Sequence, residues 1–255
     1  MTRFTTYPLR FLAFLLTLGS SLAISAQTSP TADDFSSTGR HRIAYHYGTL
    51  IAGKENGNRF VQLFRKHTIP VVSIDYSFYF NRHWSIGADA AVYLPDEYRI
   101  RPPKGYSMVE GEDGNRNITA GSFMINGAYT HTAGPVELTY TLGIGFSEFT
   151  AKQDYFYIMS NDADELYTMR LRGKSGFAFT VSPQVRVSRH LSNTLSIFLE
   201  GRYNILSGKS TMRLSYAEND VNRDSSPMLD KDLSVALPNS FNINFGFTLR
   251  FGKFK

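Results

Sequence analysis

The sequence predicts an all-β protein, an eight-stranded antiparallel up-and-down β-barrel of the transmembrane kind. Three observations carry that prediction. Apolar and polar residues alternate with a period of two through most of the chain, which separates the two faces of a strand and would scramble those of a helix. After the N-terminal stretch there is no apolar run approaching the roughly 20 residues that a membrane-spanning helix needs. The connections between alternating segments switch regularly between short and long, as in barrels with tight turns at one end and longer loops at the other.

The chain opens with MTRFTTYPLRFLAFLLTLGSSLAISAQ, where Arg3 and Arg10 precede an apolar run and small residues lead to Ala26. That layout predicts a secretory signal peptide over residues 1–26. Residues 27–41 are small, polar and rich in turn formers, so they read as a flexible lead-in to a single barrel domain over 42–255.

The first strand, RIAYHYG, begins at Arg42. In PVVSIDYSFYF, Val72, Ile74, Tyr76, Phe78 and Phe80 alternate with Ser73, Asp75 and Ser77. WSIGADAAVYL sets Trp84, Ile86, Val92 and Leu94 against Ser85, Gly87 and Asp89, and ITAGSFMINGAYT supplies the fourth strand. VELTYTLGIGF alternates from Val136 to Phe146, with Glu137 on its polar face. GFAFTVSPQVRV carries Phe177, Phe179 and Val181 opposite Thr180, Ser182, Gln184 and Arg186, although Pro183 must interrupt one backbone ladder. LSIFLEGRYNI places Glu200 and Arg202 on its polar face, and SFNINFGFTLRFG closes the set with the cleanest alternation of all. Short connections fall near 81–83, 132–135 and 190–193. Long ones run over 52–67, 95–117, 152–173 and 208–238, and their polar composition predicts mobile, solvent-facing loops.

Composition narrows the function. The 27 basic and 22 acidic residues leave a net charge of +5, two units of which belong to the expected leader. That is too mild for a nucleic-acid binder, and export argues against one as well. The absence of cysteine removes disulfides, thiolate chemistry and a lipoprotein anchor. With 20 Phe, 15 Tyr and one Trp at a mean hydropathy of −0.24, the chain suits strands that face lipid on one side only.

Alternation alone does not say which face is wet, because a soluble periplasmic ligand-binding barrel would bury the face that a membrane barrel shows to lipid. Strand length and the polar faces favour the membrane. Strands of about ten residues can cross hydrocarbon when tilted, whereas ordinary strands are about five or six. Asp75, Asp89, Glu137 and Glu200 are matched in number by Arg42, Arg186, Arg202 and Arg250. Charges in a narrow lumen are stable chiefly when paired, so these eight predict a salt-bridged, plugged interior.

Phe245, Phe247, Leu249 and Phe251 in the last strand resemble the outer-membrane insertion signal read by the barrel assembly machinery. The common form ends on the aromatic, whereas here Gly252, Lys253, Phe254 and Lys255 follow. Over residues 42–255 the chain is similar to the small outer-membrane barrel domains of the OmpA and OmpX type, particularly those common in Bacteroidota. That resemblance implies an outer-membrane protein with both termini periplasmic, a monomer among outer-membrane lipid and lipopolysaccharide, with no cofactor. It implies fold and location more firmly than activity.

One constellation points to an enzyme. His190, Ser192, Asn193 and downstream Glu200 resemble the His-x-Ser-Asn motif of outer-membrane lipid A deacylases, in which a serine nucleophile needs a histidine and an orienting carboxylate. The same four residues, HLSN, also read as an ordinary turn. The six histidines, His41, His46, His67, His83, His131 and His190, show no metal-ligand spacing. Trp84, Tyr76, Tyr140 and Tyr203 suit interfacial girdles, and Arg99, Arg101 and Lys104 form a basic loop patch. The leading expectation is a structural or surface-interaction barrel displaying four long loops. A narrow small-solute channel and a lipid hydrolase are the alternatives.

Overall fold

The structure is a computed structural model that describes residues 38–53, 61–62, 68–94, 99–102, 104–109, 118–151, 154–160, 166–173, 176–219 and 229–253. The expected signal peptide lies outside the described residues.

Fourteen strands are described: β1 (Thr38–Ala52), β2 (Val61–Gln62), β3 (Thr68–Tyr79), β4 (Trp84–Tyr93), β5 (Arg99–Ile100), β6 (Tyr106–Val109), β7 (Ile118–Ala133), β8 (Val136–Ala151), β9 (Asp154–Ser160), β10 (Leu166–Gly173), β11 (Gly176–His190), β12 (Leu195–Asn219), β13 (Leu229–Ala236) and β14 (Ser240–Lys253). Eight of them form a closed antiparallel ring in the order β11-β8-β7-β4-β3-β1-β14-β12, with β12 pairing back onto β11. Closure leaves this ring without an edge, so every ladder has a partner on both sides. β1 begins at Thr38, within the segment expected to be a flexible lead-in, because Thr38 pairs with Lys253 at the end of β14.

Three tight turns close one end of the ring. Asn81 caps the first by accepting the backbone N–H groups of His83 at 2.9 Å and Trp84 at 2.7 Å through Oδ1, an Asx turn. Gly134 takes a φ of 58° in the two-residue turn between Ala133 and Val136. Pro135 fixes the next position, as a hairpin of this length requires. In the third turn the Ser192 hydroxyl accepts the N–H groups of Thr194 and Leu195.

At the other end the structure departs from the expectation of mobile loops. The segments 152–173 and 208–238 contain β9, β10 and β13, and β12 continues to Asn219, far past the ring. Together with β6 these strands make a second sheet in the order β13-β12-β10-β9-β6, standing on the barrel rim. β2 and β5 form a separate two-residue ribbon. The alternation that builds this overhanging sheet is plain in YTMRLRG, where Met169 and Leu171 are buried while Arg172 is exposed.

The buried face of the overhang folds over the barrel mouth. Met169, Leu171, Leu214 and Leu233 join Leu50, Val71, Tyr93 and Phe149 from the rim in one hydrophobic cluster. The barrel is thus polar through its middle and apolar under its cap. Beneath the cap, a cavity of about 10 Å³ lies between Tyr93, Phe149, Asn204 and Pro238, a space on the order of one water molecule.

Pro183 behaves as its chemistry dictates. It pairs with Leu142 on the β8 side, while the β11–β12 ladder is interrupted at Ser182 and Pro183 and resumes in the same register at Gln184.

Candidate functional site in the barrel lumen

The outward face of the ring is apolar. Ile86, Phe123, Ile125, Leu142, Phe146 and Phe245 are each more than half exposed among the described residues. The inward face holds Asp75, Asp89, Glu137, Glu200, Arg202 and Arg250, each buried. A soluble barrel has these faces reversed, so the stable surroundings for this one are lipid outside and a desolvated polar core inside. Among the described residues no helix is long and apolar enough to cross a membrane. The strands cross instead, and the fold with its two faces defines a small outer-membrane-type β-barrel.

Trp84 packs edge-on against Tyr129 at 5.1 Å between ring centroids, and Tyr45 and Tyr47 lie against Phe247 and Phe245. Among the residues suited to girdles, Trp84 and Tyr76 are exposed, while Tyr140 and Tyr203 are half-buried.

The charges inside the barrel fall into three layers. Nearest the tight turns, Arg42 grips Glu137 with two guanidinium nitrogens, Nη2 donating to Oε2 at 3.0 Å and Nη1 to Oε1. Arg250 donates to the same carboxylate at 2.9 Å. The Arg42 guanidinium also lies over the Tyr79 ring, 3.9 Å from its centroid.

In the middle layer Arg186 is the hub, its Nη2 lying 2.5 Å from Asp75 and 2.7 Å from Glu200. His46 donates to Asp75 at 2.6 Å, and Asn244 donates to Glu200 at 3.0 Å. Phe198, an aromatic ring inside the lumen, packs under the Arg186 guanidinium at 4.4 Å and meets the His46 ring edge-on. Room for that ring comes from Gly246 directly opposite, where a Cβ would fall 2.7 Å from Phe198 Cζ.

The third layer pairs Arg202 with Asp89 at 3.1 Å, and Arg202 also reaches Glu200 at 3.5 Å, which joins it to the layer below. Gln184 accepts from Arg202, and Asn126 donates to Asp89. Above it, Ser182, Asn204, Ser240 and Asn242 make a neutral hydrogen-bonded tier beneath the hydrophobic cap.

The structure therefore brings all eight sequence-expected charges, Arg42, Asp75, Asp89, Glu137, Arg186, Glu200, Arg202 and Arg250, into mutual ion pairs. Four cations meet four anions. Buried ions cost several kcal/mol each in lost hydration, so each layer holds only because its charges have close, hydrogen-bonded partners.

Sequence reasoning left His46 and His190 open among belt, loop and lumen positions, and missed Phe198 as a member of this core. Inward parity is the signal that was available: each sits on the polar side of its strand's alternation.

His46, Asp75 and Glu200 have ligand atoms within 4.8 Å of one another, a grouping that could suit a metal ion. Arg186 already places a cationic nitrogen between Asp75 and Glu200. The group is a guanidinium site.

The hydrolase constellation is not assembled. Ser192 is exposed in its turn, with its hydroxyl engaged by two backbone N–H groups. Glu200 lies four residues up β12 from Ser196, the residue opposite His190, a separation of about 13 Å. His190 instead lies 3.2 Å from the Ser196 hydroxyl through Nδ1 and 3.3 Å from Arg250 through Nε2. The same Nε2 lies 3.6 Å from Glu137 Oε2, so the ring belongs to the ion-pair layer at the turn end of the lumen. Ser196 is also completely buried.

No protein-family model matches the sequence, and no curated protein matches it significantly. Several solved structures are similar to it over most of their length. Neisserial surface protein A is 12% identical, covering 83% of this chain and 97% of that one, with a TM-score of 0.49. The outer membrane protein OprG from Pseudomonas aeruginosa is 14% identical, covering 84% and 97%, with a TM-score of 0.45. Ail, the attachment invasion locus protein of Yersinia pestis, is 10% identical, covering 84% and 99%, with a TM-score of 0.39. The class assignment rests on the ring pairing and the inverted faces.

Proposed function

We propose that the protein is an integral outer-membrane barrel with a structural or surface-interaction role, its lumen closed to solutes and its overhanging sheet displayed outside the cell. The observation that carries this reading is the stack of three ion-pair layers under an apolar cap. A solute would have to break buried pairs such as Arg186 with Glu200 at 2.7 Å, and then displace Leu171 and its neighbours. An open pore keeps its charges hydrated instead.

The tight turns and both ends of the ring lie together, which fits periplasmic termini and external loops. Phe245, Phe247, Leu249 and Phe251 all face outward on β14, which suits a last strand presented to the barrel assembly machinery. Lipid and lipopolysaccharide are the partners that such a surface implies. Export through a signal peptide over residues 1–26 belongs to the same reading.

Purified protein reconstituted in planar bilayers tests it. A closed barrel gives no steady conductance at moderate salt and voltage. A stable ohmic channel in the wild type would overturn the plugged lumen and make a narrow small-solute channel the better reading.

A further inference from the structure

Seven of the eight ring ladders join strands that follow one another around the ring, so a connecting segment limits how far each pair can slide. β1 and β14 are the exception, because the rest of the ring lies between them in the chain. Register is set by turn geometry and by side-chain pattern, and this ladder has no turn. Period-two alternation rejects a slip of one residue, which would turn the apolar face into the lumen. It does not separate the observed register from a slip of two.

The outward side of the seam makes that separation. Three aromatic pairs stand directly opposite one another: His41 with Phe251, Tyr45 with Phe247 and Tyr47 with Phe245. Their ring centroids are 5.3, 5.2 and 5.6 Å apart. A slip of two leaves a single opposed aromatic pair, Tyr45 with Phe245 in one sense or Tyr47 with Phe247 in the other. The lumen side agrees in shape. His46 faces Gly246 and Asn244 faces Gly48, whereas a slip of two sets His46 against Asn244 in one sense and the two glycines against each other in the other. Charge gives no such preference at the seam, since Arg42 stands directly opposite Arg250 and both lean on Glu137 from β8.

We propose that the aromatic pairs on the lipid-facing side of the seam are a register lock, selecting which residues of β1 and β14 meet when the ring closes. Directly opposed aromatic rings gain from offset and edge-to-face contacts, and two more such pairs favour the observed register by about tenfold or more. The lock reaches beyond the seam, because strand stagger, tilt and diameter are linked in a closed barrel. A signal for insertion changes how much barrel reaches the membrane; a register lock changes which residues face one another.

Disulfide trapping tests it in the full-length chain, which contains no cysteine of its own. Thr49→Cys/Ile243→Cys are directly opposite in the observed register. Thr49→Cys/Phe241→Cys and Ile51→Cys/Ile243→Cys become opposite only after a slip of two, in one sense or the other. A disulfide needs Cα atoms within about 7 Å, so each pair reports its own register. Membranes are oxidised and run on non-reducing gels, and only the folded, heat-modifiable form is scored. With the aromatic pairs intact, the first link alone is expected. Phe245→Leu/Leu249→Phe keeps composition and alternation but leaves two opposed aromatic pairs both in the observed register and after one slip. There the Ile51→Cys/Ile243→Cys link is expected to rise about tenfold and approach the first. Tyr45→Leu/Tyr47→Leu, which removes two of the three pairs, is expected to show both slipped links at a lower level. Glu137→Gln, which leaves the aromatic pairs in place, is expected to keep the first link alone. Exclusive formation of the first link in the folded forms of both aromatic variants overturns the proposal, as does slipping in Glu137→Gln equal to theirs.

Discussion

Arg42 and Glu137, 95 residues apart in sequence, meet across the barrel in a two-point ion pair that Arg250 completes from a third strand. One carboxylate thus neutralises much of the positive charge at the turn end of the lumen. Glu137→Ala strands two buried guanidinium groups and is expected to cost about 3–5 kcal/mol, whereas Arg42→Ala costs less because Arg250 still holds the carboxylate. Urea titration followed by heat-modifiable mobility measures both. Equal losses would mean that the pair is not organised around Glu137.

The outer face makes a depth-dependent prediction. Ile125, near the middle of β7 and 58% exposed, faces hydrocarbon, while Phe251 lies close to the turn end of β14. Ile125→Arg is expected to destabilise by about 2–4 kcal/mol and Phe251→Arg by no more than about 1 kcal/mol. Unfolding of the two variants in lipid vesicles provides the comparison. A soluble barrel would show no such gradient.

A steric prediction concerns Gly246. A Cβ there would fall 1.9 Å from the Tyr45 carbonyl oxygen as well as against the Phe198 ring. Gly246→Val should cost about 3 kcal/mol through overpacking, and Phe198→Ala in the same chain should recover part of it. A double-mutant cycle on unfolding free energy reads the coupling; additive losses would show that the ring does not fill the glycine's space.

The cap and the barrel should separate under protease. Leu171 is fully buried on the inner side of the overhanging sheet, so Leu171→Asp places a charge in the apolar cluster where cap meets rim while leaving the ring's ladders and ion pairs as they are. Limited proteolysis of intact vesicles is expected to cleave within residues 152–238 in the variant long before the wild type, with heat-modifiable mobility retained. Simultaneous loss of that mobility would show cap and ring to be one cooperative unit.

The ring strands were legible because period-two alternation survives wherever one face must meet lipid. The eight charges were legible because they fall on the opposite parity. Ile43 to Tyr47 and Ser240 to Phe251 needed no knowledge of their partners. The overhanging sheet was harder. Its strands carry Arg170, Arg172, Arg213 and Asp232 outward, and their polarity resembles that of a loop when the sheet beneath is not known. The lumen histidines were harder still, because the partners that hold them are remote in sequence: His46 meets Asp75 from β3, and His190 meets Arg250 from β14. HLSN read as a turn as well as a serine-histidine motif, and Ser192 takes the turn role by accepting the N–H groups of Thr194 and Leu195.

The ring is closed by β1 on β14, the first described strand against the last, from Thr38 opposite Lys253 to Ala52 opposite Ser240. Until those two strands meet, both present a complete row of unpaired amides and carbonyls, and neither can sit in hydrocarbon alone. Seven strands already in order therefore make an open ribbon with two hungry edges rather than seven-eighths of a barrel. Closure of the ring and burial of its backbone in hydrocarbon are therefore coupled at the single β1–β14 seam.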